Sequence, residues 1–171
     1  MILTVLAGLL VSAVAPSAKA TPSPACAAAE RLIDEIWTAA PSSPPITVIG
    51  ERRFRSPAWK RPRELSQGGW SGPAPSIRLL DLWERDAGST ATRCVNVRAR
   101  AEAAAILLAP GAEPDAERTS IGLPVVDKGG TTALVQVVTH RRSLGGGAYL
   151  YLLRRSGGRW AVVSKRMLAI S

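Results

Sequence analysis

The sequence predicts an α+β fold, with N-terminal helices packed on a curved antiparallel β-meander that could close into a cone-like shape. Three observations lead there. The first half of the chain carries two amphipathic segments with helical spacing. From Ile121 onward the chain is a series of β-branched runs separated by glycine-rich turns. The length of 171 residues suits one domain with a substantial core.

The first helix is read at Pro24 to Ala40. Ser23 supplies the N-cap and Pro24 the first helical position, where its missing N–H costs nothing. Leu32, Ile33, Ile36, Trp37 and Ala40 recur on one face. Glu30, Arg31, Asp34 and Glu35 fall mainly on the other. Pro41 to Pro45 stops the helix, because proline cannot continue the hydrogen-bond ladder.

Residues 41–75 read as a Pro/Gly-rich insertion. Ile46 to Ile49 forms a strand within it, and the chain from Ser56 to Pro75 is irregular. Trp59 and Trp70 argue that parts of this loop pack down. Ser76 then caps a second helix, Ile77 to Ala87, with Leu79, Leu80 and Trp83 inward and Gly88 after its end. Val97 to Leu108 is open between two states, with helix the first reading. Its alanines favour a helix, while Ala104 to Leu108 fits a strand. Pro110 to Ser120 reads as an acidic surface loop.

The meander follows. Leu123 to Asp127 is a short strand, with Pro124 confining it to an edge or a strand end. Thr131 to Thr139, Ala148 to Arg155 and Arg159 to Ile170 are the longer strands. Gly145 to Gly147 and Ser156 to Gly158 are the loops between them. A strict period of two puts Trp160, Val162, Ser164, Arg166 and Leu168 on one face of the last strand. Ala161, Val163, Lys165, Met167 and Ala169 take the other.

Residues 1–20 stand apart from this domain. Ile2 to Ala15 is uncharged and leads into Ser17-Ala18-Lys19-Ala20, a small-x-small pattern suited to signal peptidase. The expectation is a cleaved signal peptide, a domain of residues 21–171, and a secreted or periplasmic location. An uncleaved N-terminal anchor is the alternative. An exported domain with two cysteines, Cys26 and Cys94, is expected to bridge them; two buried free thiols are the alternative. Two cysteines and one histidine without close spacing make no zinc centre, and no metal or other cofactor is expected.

The order of parts resembles a set of small exported bacterial proteins of uncharacterised function. The likeness rests on Ala133-Leu134-Val135, Gly145-Gly146-Gly147, Tyr149-Leu150-Tyr151-Leu152-Leu153, Gly157-Gly158 and Trp160-Ala161-Val162-Val163. Members often carry a cysteine pair in the first hairpin loop, where this chain has His140-Arg141-Arg142-Ser143-Leu144. Helices followed by such a meander are also similar to the nuclear-transport-factor-two-like cone. Neither resemblance implies an activity.

Charge is the sharpest functional signal. The chain carries a formal net charge of +9. Its excess lies in Arg52 to Arg63 and in the stretch from Lys128 onward, neither of which holds an acidic residue. Arg52, Arg53, Arg55, Trp59, Lys60, Arg61, Arg63, Arg141 and Arg142 are the candidate binding residues. Arginine forks suit phosphate or carboxylate, and interleaved aromatics can stack. An exported protein meets anionic polymers, lipid headgroups or acidic proteins more readily than nucleic acid. The reading is therefore a non-enzymatic binding module for an anionic partner. A small enzyme with its site in a sheet–helix pocket and an accessory domain of an envelope assembly are the alternatives.

Other candidate chemistry is weaker. His140, the only histidine, could act as a base with Asp127 orienting it, but reads first as a surface hairpin residue. Gly145 to Gly147 could present N–H groups to an anion. Tyr149 and Tyr151 share a strand face with Leu153, as core packing or as an aromatic strip facing a ligand.

Overall fold

The computed structural model describes residues 23–39, 61–86, 94, 96–97, 118–141 and 145–170. Within these, three helices accompany a five-stranded antiparallel sheet, which is the expected α+β class. The helices are α1 (Pro24–Ala39), α2 (Pro62–Ser66) and α3 (Ile77–Arg85). The strands are β1 (Arg118–Ile121), β2 (Val125–Val126), β3 (Thr132–Arg141), β4 (Gly145–Ser156) and β5 (Arg159–Ile170). The expected strand at Ile46 to Ile49, nearly all of Val97 to Leu108, Trp59 and Gly88 lie outside the described residues.

Both expected helix starts are present. The Cys26 N–H donates to Ser23 Oγ at 3.2 Å, and the Leu79 N–H donates to Ser76 Oγ at 3.2 Å. The stretch expected to be irregular contains a helix, α2. Pro62 takes its first position, where a proline ring is pre-organised for a helix, and Leu65 anchors it by full burial. Trp70 packs down as expected, its indole N–H donating to the Leu65 carbonyl at 2.7 Å.

The sheet runs β1-β3-β4-β5, with β2 also on β3. β1 and β2 are two pieces of one broken edge. β1 pairs with the Val137–His140 part of β3 and β2 with Ala133 and Leu134. The break falls at Leu123-Pro124, since proline has no N–H to give the ladder. The end of the expected acidic loop is thus strand, because β3 is long enough to take a second partner beyond β2. Gly145 to Gly147 is likewise strand and not loop, pairing with Arg141, His140 and Thr139.

Helices cover both faces of the sheet. On one face Ala28, Ala29, Leu32 and Ile33 of α1 meet Ala133, Val135, Val137, Leu153 and Trp160. On the other, Leu65, Leu79, Leu80 and Trp83 meet Val125, Leu134, Leu150 and Leu152. Burial of this kind is worth about 25 cal/mol per Å² of apolar surface. A disulfide joins Cys26 in α1 to Cys94, with Cα atoms 5.4 Å apart, and Cys94 lies buried in the first cluster.

The strict alternation expected along β5 fails. Leu153 faces Val162 but Leu152 faces Ser164, and a second register shift lies opposite Ala148 and Tyr149. Each shift inserts one residue and exchanges the faces beyond it. Trp160 and Val162 therefore lie on the α1 face, whereas Val163 and Leu168 pack with α2 and α3. Ser164 and Arg166, opposite Leu152 and Leu150, join the second face. The bulges also bend the outermost strand, which shortens its exposed edge.

That edge is further covered by residues 71–72. The Ser71 N–H donates to the Lys165 carbonyl at 2.9 Å, and the Lys165 N–H returns a bond to Ser71 Oγ at 3.0 Å. The Gly72 N–H donates to Ser164 Oγ at 3.0 Å. A Cβ on Gly72 would stand 2.5 Å from the Val163 carbonyl oxygen, so only glycine fits against the bulge.

Candidate anion-binding surface

The described cations separate by position in the sheet. Arg141 begins the β3–β4 connection at one end. Lys128, Arg154, Arg155 and Arg159 flank two turns at the other end. The intervening length of β4 is about 35 Å at ~3.3 Å per residue. The basic residues of the meander thus do not gather at one end of the sheet.

The second end is built by local rules. Ser156-Gly157-Gly158 joins β4 to β5, with φ of +56° and +80° at the two glycines. Those values suit a tight hairpin turn. Asp127 to Gly130 joins β2 to β3. There the Asp127 carboxylate accepts from the Thr131 and Thr132 N–H groups at 2.8 and 3.1 Å. Its other oxygen accepts from the two threonine hydroxyls at 3.0 and 2.7 Å. Partial burial alone would raise the Asp127 pKa. The donors on Thr132 and Thr131 together outweigh it and hold the carboxyl below its ordinary range.

The two turns lie side by side because the Arg155 N–H donates to the Thr131 carbonyl at 2.7 Å. Lys128, Arg154, Arg155 and Arg159 are all exposed, and among the described residues none is paired with a carboxylate. Arg155 Nε donates to the Gly158 carbonyl at 3.4 Å, which keeps that side chain close to the turn.

The residues expected to bind are placed only in part. Arg52, Arg53, Arg55, Trp59, Lys60 and Arg142 lie outside the described residues, as does the side chain of Arg141. Arg61 and Arg63 are exposed at the start of α2. That helix is fastened to β5 through Arg166, about 20 Å along the strand from the Ser156 to Gly158 turn at ~3.3 Å per residue. Arg166, in the basic stretch from Lys128 onward, is buried and structural. Its Nη1 donates to the carbonyls of Glu64, Leu65 and Gly68.

Two weaker expectations are corrected. Asp127 cannot orient His140. It binds Thr132 at the start of β3 while His140 lies near the strand's end, about 26 Å away at ~3.3 Å per residue. Gly145 to Gly147 offers no free nest of N–H groups, because it is a paired part of the sheet. Tyr149 and Tyr151 do share a face with Leu153. Both are half-buried, with ring centroids 6.5 Å apart.

Sequence reading overlooked Lys128, Arg154, Arg155 and Arg159 as a group. The Arg-Arg-Ser-Gly-Gly-Arg run around the turn was the available signal. What it lacked was the register that sets the Lys128 turn beside it. The Cys26–Cys94 disulfide suggests a non-cytoplasmic location, and among the described residues no helix is long and apolar enough to cross a membrane. No protein-family model, curated protein or solved structure matches the chain.

Proposed function

We propose that this chain is an exported binding domain, held by one disulfide, that recognises an anionic partner without catalysing a reaction on it. The observation that carries this reading is a set of exposed cations without carboxylate partners among the described residues, at residues 128, 154, 155 and 159 and, at the start of α2, at Arg61 and Arg63. A cation held by a neighbouring carboxylate is already half neutralised. An unpaired one is available to a ligand and raises its local concentration through long-range attraction. The basic run from Arg52 to Arg63 would extend the same chemistry. The disulfide is consistent with export, for which cleavage after Ala20 is the natural route.

Binding of a soluble sulfated dextran, followed by fluorescence anisotropy across a salt series, tests the reading. Affinity should fall steeply with salt, as it does when bound counterions are released. The triple variant R52S/R53S/R55S should bind more weakly than the parent. No association with any anionic polymer or surface at low salt would remove the reading.

A further inference from the structure

We propose that the paired hairpin turns at one end of the sheet dock this protein, end-on, to the headgroups of an anionic lipid bilayer. The inference rests on the anionic-partner reading and names the partner and the surface.

The geometry favours a plane over a thread. Arg154 and Arg155 are consecutive on β4, so their side chains leave opposite faces of the sheet. Arg154 pairs with Thr132 and Arg155 with Trp160, while Arg159 begins the next strand and Lys128 lies on the adjoining turn. Four cations therefore surround the end of the sheet instead of lining one side of it. A linear polymer lying in a groove would meet them in turn. A flat surface approached by the sheet end would meet all four together.

Among the described residues, glycines stand foremost at this end. They include Gly130, Gly157 and Gly158, each with open space where a side chain would be. Long lysine and arginine side chains can reach past glycines to a surface. The Asp127 carboxylate spends both oxygens on its own turn, so it does not tether the cations. The turns also lack an apolar anchor. Trp160 is buried, and the exposed large hydrophobic residues among those described, Ile77 and Met167, lie elsewhere. Contact would thus stop at the headgroups. It would be reversible and sensitive to salt, since charges on such a surface are screened over about 10 Å at 0.1 M ionic strength.

The test is co-sedimentation of the disulfide-intact protein with vesicles of phosphatidylglycerol and phosphatidylcholine, against pure phosphatidylcholine, at low and high salt. The protein should sediment with the anionic vesicles at low salt, leave them at high salt and ignore the neutral ones. At about a factor of five per cation near the surface, R154S/R155S/R159S should bind on the order of a hundred-fold more weakly. Circular dichroism confirms that the variant folds. Should it not fold, the double variant K128S/R159S, on the two turns, should still lose on the order of twenty-five-fold. Vesicle binding by folded variants at the parent's level would overturn the inference. So would binding to sulfated dextran without binding to vesicles, though the anionic-partner reading would then survive. Failure to bind either probe would end both.

Discussion

The Arg166 guanidinium on β5 donates to the Leu65 carbonyl at 2.8 Å, joining residues 101 positions apart. Arg166 is only 7% exposed and pairs with no carboxylate among the described residues. It satisfies the last carbonyls of α2, where the helix dipole favours a cation. Arg166→Ala should cost about 3 kcal/mol, because buried carbonyls lose charged donors. Arg166→Lys should cost less, since it keeps the charge but not the planar fork. Urea unfolding measures both. A midpoint for Arg166→Ala matching the parent would mean that solvent caps α2 equally well.

Gly72 and Gly147 make a contrasting pair. A Cβ at Gly72 would meet a backbone oxygen of Val163, which belongs to the bulge and cannot step aside. A Cβ at Gly147 would come within 2.8 Å of the Tyr149 ring, which can rotate away. Gly72→Ala should therefore destabilise by about 1–3 kcal/mol. Gly147→Ala should cost under about 1 kcal/mol, with part of the strain offset by a less flexible unfolded chain. Equal thermal midpoints for the two variants would contradict this ordering.

The contrast shows what could be read from the sequence. Both caps, Ser23 and Ser76, were legible because capping depends on neighbours in the chain. So were the three long strands and the Cys26–Cys94 bridge. The bulges opposite Leu152 and Ala148 were not, since a period-two reading has no way to register an inserted residue. The role of Arg166 was not legible because its partners are about a hundred residues away, on a helix hidden in a Pro/Gly-rich stretch. The cationic end was half legible. Arg154, Arg155 and Arg159 flank an evident turn, but only the Arg155–Thr131 hydrogen bond sets Lys128 beside them.

The disulfide closes a loop of 68 residues, which should contribute about 4 kcal/mol, mainly by restricting the unfolded chain. Cys26→Ser with Cys94→Ser should lose most of that. The urea dependence should also steepen, because an unbridged unfolded chain exposes more surface. An unchanged slope with a large loss of stability would instead place the effect in the folded state, at the buried Cys94.

Asp127 makes stability depend on acid. Its pKa is depressed in the folded protein by the donors on Thr132 and Thr131, which overcome the opposing effect of burial. The stabilisation is therefore present above the unfolded value of about 3.9. It is lost as pH falls through the lower folded value. Thermal midpoints taken between neutral pH and strong acid should fall in that window. Asp127→Asn should be less stable than the parent at neutral pH and should fall less in acid. Parallel curves for the two proteins would show that the carboxylate's charge contributes nothing to the turn.

Tyr151 gives the opposite sign at the alkaline end. Burial, reinforced by the neighbouring Tyr149, raises its pKa above the ordinary value. The folded protein thus holds this proton more tightly than the unfolded chain does. The resulting stability is complete below the unfolded value of about 10 and is lost as pH rises through the folded one. The chain has two tyrosines, so the titration of tyrosinate absorbance is simple to resolve. The component that ionises later than an ordinary tyrosine should vanish in Tyr151→Phe, and with it the alkaline loss of stability attributable to this site. If Tyr151→Phe leaves the late component in place, the half-buried hydroxyl of Tyr151 is reached by solvent well enough to ionise like a free phenol.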